Sequence, residues 1–132
     1  MIATAAMTAV FGAGQGLDAL AEPPPDQIVE AAAAKAGTTP PRPPARGVLV
    51  WLAHFAFGAA MGVLFRWLRP NGRVTEGVVF GIALWGVSYQ GVLPAARLFP
   101  PATRDDTRRQ AVNLLAHGVY GVALGLQERR SR

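Results

Sequence analysis

The sequence predicts an all-α protein: an integral membrane four-helix bundle with a short interfacial helix in its first loop. Three observations predict it. The 13 basic and 8 acidic side chains are segregated, so that residues 1–17, 47–65, 77–96 and 110–127 carry no charge at all. A helix needs about 20 predominantly apolar residues to cross the hydrocarbon core, and four such runs nearly fill a chain of 132 residues. Those runs also lack the wet and apolar alternation that a soluble helix or strand must show, because each would otherwise have no face for water. Finally, the glycines are concentrated inside or beside the four runs rather than between them. Each would weaken a helix in water by about 1 kcal/mol relative to Ala. Between helices in lipid, by contrast, small residues allow close backbone approach, a main source of packing energy there.

The first helix is expected over about 3–21. Its Ala19-Leu20-Ala21 has the form of a signal-peptide cleavage site, but no basic residue precedes the apolar stretch, which therefore reads as a retained helix. Residues 22–46 are a Pro-rich linker in which Pro25, Asp26 and Glu30 suit a helix start and Gly37 a stop. A surface helix is expected over 26–36. The second membrane helix, 47–67, is bracketed by Arg46 and Arg66 and anchored by Trp51 and Trp67. Pro70-Asn71-Gly72 then turns the chain. The third helix, 76–96, carries Pro94 near its end, where a kink or termination is expected. The fourth, 104–127, opens on Thr103-Arg104-Asp105-Asp106, which has the spacing of a capping box, and Asp105 and Arg109 are placed to pair across one turn. Together residues 1–132 read as one membrane domain.

The absence of Cys removes disulfides, thiolate metal sites and a cysteine nucleophile. A net charge of +5 would suit nucleic acid, but the twelve Arg and one Lys flank apolar runs, where membrane topology places them. The expected partner is the bilayer, not nucleic acid. Arg66, Arg69 and Arg73 crowd one short loop and favour the cytoplasm for that loop, and with it for both termini.

An internal repeat links the second and fourth helices. Leu52-Ala53-His54 through Gly58 and Gly62 matches Leu115-Ala116-His117 through Gly121 and Gly125, in the pattern L-A-H-x-x-aromatic-G-x-A-x-G. Either a helical hairpin has been duplicated or similar composition makes the helices look alike. Each helix also holds a G-x-x-x-G pair: Gly12 and Gly16, Gly58 and Gly62, Gly77 and Gly81, Gly121 and Gly125. These glycines are expected to build helix contacts, within the bundle or in a homodimer.

His54 and His117 fall at nearly equal depth, close to the middle of their runs. Polar groups at that depth are costly and suggest a functional site by default. Three readings stand open: hydrogen bonds that fix helix rotation, proton handling, and axial ligation of a haem. The first is favoured, since the glycines at i+4 and i+8 give each His a close-packed face. Gln15, Asp18 and Asn113 complete the intramembrane polar set, with Thr4 and Thr8 sharing the stripe of Gln15 and Asp18. No Ser/His/Asp set, metal cluster or phosphate loop appears.

The Gly-rich first helix running into AEPPPDQIVEAA, the WGVSYQGVLPAARLFPP close of the third helix and AHGVYGVALGL in the fourth resemble the YagU-like family of small bacterial inner-membrane proteins. That resemblance implies a four-helix protein of the inner membrane and supplies no activity. The expected function is a non-enzymatic structural or interaction module of the membrane, with no cofactor. The alternatives are a proton- or solute-conducting oligomer using His54 and His117, and a haem-binding electron carrier.

Overall fold

The computed structural model describes residues 2–17, 24–39, 42, 44–100 and 104–130. Among the described residues all regular structure is helical: α1 (Ile2–Gly16), α2 (Pro24–Lys35), α3 (Ala45–Leu68), α4 (Val74–Ala95) and α5 (Thr107–Arg130). α2 is the short helix of the first loop. α3 and α4 are long and apolar enough to cross a membrane. α1 is described over 15 residues, while Gln110, Asn113 and His117 interrupt the apolar run of α5.

Local chemistry sets the helix ends. Gly37 stands at φ +67° after α2, and the Thr38 and Gly37 N–H groups donate back to Ala33 O and Ala34 O at 3.0 and 3.1 Å. This is a left-handed cap of the kind glycine adopts without penalty. α4 runs as an α-helix to Trp85 and then widens into a π-helical turn over Gly86–Val92 before Leu93–Ala95. Pro94 explains the widening: it has no N–H to give the carbonyl four residues back, and its ring crowds that carbonyl. Shifting the preceding bonds to i→i+5, as in Leu93 N–H to Ser88 O, absorbs the fault without breaking the helix. α4 then closes on Arg97, a non-glycine residue at φ +55°, with Leu98 N–H donating to Leu93 O and Arg97 N–H to Pro94 O, both at 2.9 Å.

The start of α5 differs from the expected capping box. Thr103 lies outside the described residues, and the cap is Asp106, whose Oδ1 accepts the Arg108 and Arg109 N–H groups at 2.9 and 3.1 Å. The helix therefore begins at Thr107 rather than at 104.

α5 occupies the middle of the molecule, packed most extensively against α4 and next against α1. The core joins Ala3, Met7 and Phe11 of α1, Phe65 of α3, and Ala116, Tyr120 and Leu124 of α5. α3 turns much of its apolar surface outward, with Val63 70% and Trp67 78% exposed. The helix richest in mid-run polar groups is thus enclosed, and the most apolar one faces out. Water would favour the opposite arrangement.

Candidate functional site

Three regions place the chemistry-bearing residues: a glycine seam, a polar interior and a polar border under α2. In the seam, Gly77 and Gly81 of α4 meet Gly121 and Gly125 of α5 backbone to backbone. A β-carbon built at Gly77 would lie 3.0 Å from Gly125 N, one at Gly121 2.9 Å from Val78 Cα, and one at Gly125 2.9 Å from Val74 N. One at Gly81 would lie 3.2 Å from Gly121 N. No side chain fits between these helices. Gly58 is a close approach of another kind, since its β-carbon would meet the Thr4 side chain, with Cγ2 at 2.8 Å. Gly62 has ordinary room, 3.5 Å to Leu124 Cδ2.

Of the two expected uses of the glycine pairs, within the bundle or in a homodimer, Gly12 and Gly16 do not take the first: a β-carbon on either meets nothing within 4 Å. α1 packs through Ala3, Met7 and Phe11, which recur every four residues and form one stripe. Gly12 and Gly16 are each one residue beyond that register, about 100° around the helix.

The polar interior lies between α1, α3 and α5. His54 Nε2 and Thr8 Oγ1 share a hydrogen bond of 3.2 Å, and Thr8 Oγ1 donates to Thr4 O at 2.9 Å. His117, 9% exposed, bonds through Nδ1 to the Asn113 carbonyl of its own helix at 2.9 Å. Tyr120, a core side chain, donates its hydroxyl to Gly58 O at 2.6 Å and so ties α5 to α3. Asn113 is 3% exposed; its Oδ1 and the Thr4 Oγ1 are buried with no hydrogen-bond partner among the described residues. Of the other expected intramembrane polar residues, Gln15 continues the four-residue register of Ala3, Met7 and Phe11 yet is exposed, at the end of α1, and Asp18 lies outside the described residues.

A cavity of about 150 Å³ opens beside His54, lined also by Thr8, Phe11, Gly12, Gln15, Pro25, Asp26, Val50 and Trp51. His117 is not on its wall. The volume is about half the lower limit typical of drug-sized ligand pockets, ~300 Å³. The cavity beside His54 therefore does not fit a haem held between the two histidines, being too small for a macrocycle and lined by only one of them.

Under α2 the polar groups are fastened tightly. The Tyr89 hydroxyl donates to the Asp105 carboxylate, and Arg109 Nε pairs with the same carboxylate at 3.1 Å across one turn. The Arg109 guanidinium also stands over the Phe99 ring, 5.8 Å from its centroid, and donates to Gln27 Oε1 at 2.9 Å. Glu30 pairs with Arg46 at 2.6 Å, and Lys35 Nζ donates to Ala96 O at 2.9 Å. These contacts strap α2 across the ends of α3, α4 and α5.

A family model described as "Family of unknown function (DUF6789)" matches residues 1–131. The chain belongs to the DUF6789 family. No curated protein and no solved structure matches it. In this DUF6789 chain, no group of three or more His, Asp or Glu side chains suited to a metal ion occurs among the described residues. At the His54 cavity and at the Asp105 border, charged side chains and aromatic rings lie together. Sequence reasoning paired Asp105 with Arg109 but missed Tyr89 as the third member, and it missed the cavity, which forms only when α2 folds back over α1 and α3.

Proposed function

We propose that the chain is a multi-pass protein of the bacterial inner membrane, its four long helices spanning the bilayer, and that it acts as a structural or interaction module rather than an enzyme. One observation carries this reading: apolar α3 presents most of its length outward, including Leu52, Phe57, Val63 and Trp67, while Asn113 and His117 are enclosed on α5. In lipid, with no hydrophobic drive between helices, contact over glycine is what would hold such a bundle. Kinship with the YagU-like family belongs to the same proposal, carried by AEPPPDQIVEAA and AHGVYGVALGL. A second reading, conduction by an oligomer, draws on buried Thr4, Asn113 and His117 and half-buried Thr8; proteoliposome flux unchanged by His54→Ala with His117→Ala would remove it.

The chain has no Cys, so single cysteines report topology cleanly. With a membrane-impermeant maleimide, Asn71→Cys should label from the cytoplasmic side only and Thr38→Cys from the opposite side only. Labelling of both from one side would overturn the four-span arrangement.

A further inference from the structure

We propose that the cavity beside His54 receives a small organic ammonium group, with Asp26 as its counter-ion. Among the residues that line this cavity, Asp26 carries the only charge. In a chain of net charge +5, its carboxylate makes no ion pair or hydrogen bond among the described residues. It sits in the first turn of α2, the end of a helix that attracts negative charge. The opposing wall is aromatic. The Phe11 and Trp51 rings each lie 6.2 Å from the His54 ring, inclined to it at 56° and 74°, so the three rings form angled walls rather than a stack. Aromatic walls with a carboxylate are the chemistry that recognises alkylammonium ions, through the negative faces of the rings.

Size agrees with charge. A volume of about 150 Å³ is that of a protein cavity able to hold one benzene, the size class of tetramethylammonium or the headgroup of choline. Gly12 has a part in this, because it lines the cavity and a β-carbon there would meet nothing within 4 Å. Its missing side chain is space left for the occupant, and this is a use for a glycine that makes no helix contact. Gln15 and Trp51 are exposed, so the cavity communicates with the surface. The ammonium group can come from a free solute or from the headgroup of an amine-bearing phospholipid.

Titration calorimetry on the full chain in detergent, with tetramethylammonium and choline, tests the assignment. Saturable binding is expected, at least tenfold tighter for choline than for its neutral carbon isostere, dimethylbutanol. Asp26→Asn should weaken choline binding at least tenfold. Gly12→Leu should abolish binding with thermal unfolding unchanged. In nanodiscs, phosphatidylethanolamine that competes with tetramethylammonium identifies the headgroup as occupant; no competition identifies the free solute. Equal affinity for choline and dimethylbutanol, or no binding of either cation, overturns the proposal without recourse to any variant, and so does full affinity in folded Asp26→Asn.

Discussion

Gly121→Ala puts the seam to a quantitative test. The added carbon would lie 2.7 Å from Gly77 C and 2.9 Å from Val78 Cα, against an optimum of about 3.5–4.0 Å for two carbons. Both obstacles are backbone atoms, which no rotamer can move aside, so α4 and α5 must separate by about 1 Å along their shared face. Overpacking of this kind costs about 1–3 kcal/mol, and the separation also weakens the contacts at Gly77, Gly81 and Gly125. Alanine's higher helix propensity returns at most about 1 kcal/mol. Gly62→Ala is the internal control, because its β-carbon would stand 3.5 Å from Leu124 Cδ2 and 3.7 Å from the Tyr120 hydroxyl. There the propensity gain is unopposed. Reversible unfolding in mixed micelles, followed by circular dichroism, should rank Gly62→Ala as stable as the parent or slightly more so, and Gly121→Ala about 1–3 kcal/mol below it. Equal stability of the two variants would refute the idea that the helices touch through glycine.

Two further outcomes follow from the helix ends and the border under α2. Asp105→Ala removes a carboxylate whose side chain is 3% exposed, strands the Tyr89 hydroxyl and leaves Arg109 with Gln27 and Phe99, so a loss of about 2–4 kcal/mol is expected. The same unfolding assay checks it, with Asp105→Asn falling between the two. Arg97→Gly relieves a left-handed residue and should raise stability by about 0.5–1 kcal/mol; a lower midpoint would show that the Arg97 side chain contributes more than its backbone costs.

The helical character and the approximate limits of the elements were legible because they depend on near neighbours. Pro25, Asp26 and Gly37 mark α2, and Pro94 marks the fault in α4, though not the form it took: a π-helical turn and a stop are both answers to a missing N–H. Contacts between helices were harder to read. The same G-x-x-x-G spacing stands in all four runs, yet its surroundings differ: a backbone at Gly77 and Gly121, a threonine at Gly58, open space at Gly12. Spacing along one helix says nothing of what arrives from the next. The histidine repeat likewise left each partner open. His54 finds Thr8 on another helix, whereas His117 turns back to its own Asn113 carbonyl and does not line the cavity beside His54. Asp26 and Trp51 are 25 positions apart and belong to one cavity only because Glu30, Gln27 and Lys35 hold α2 in place.

The central position of α5 bears on how the protein is made. α5 leaves the ribosome after α1, α3 and α4 and has an apolar run interrupted by Gln110, Asn113 and His117, so in a membrane it is poorly able to enter the bilayer unaided. In the membrane reading its place is a slot already lined by α1 and α4, with glycines exposed on one side and Met7 and Phe11 on the other. Insertion then has an order. α3 and α4 can partition into lipid on their own composition, and α5 follows because its neighbours offer its polar groups something other than hydrocarbon. On that reading, bulk added at Gly77 or Gly81 would harm the protein during synthesis as well as after it, leaving α5 stranded at the membrane surface.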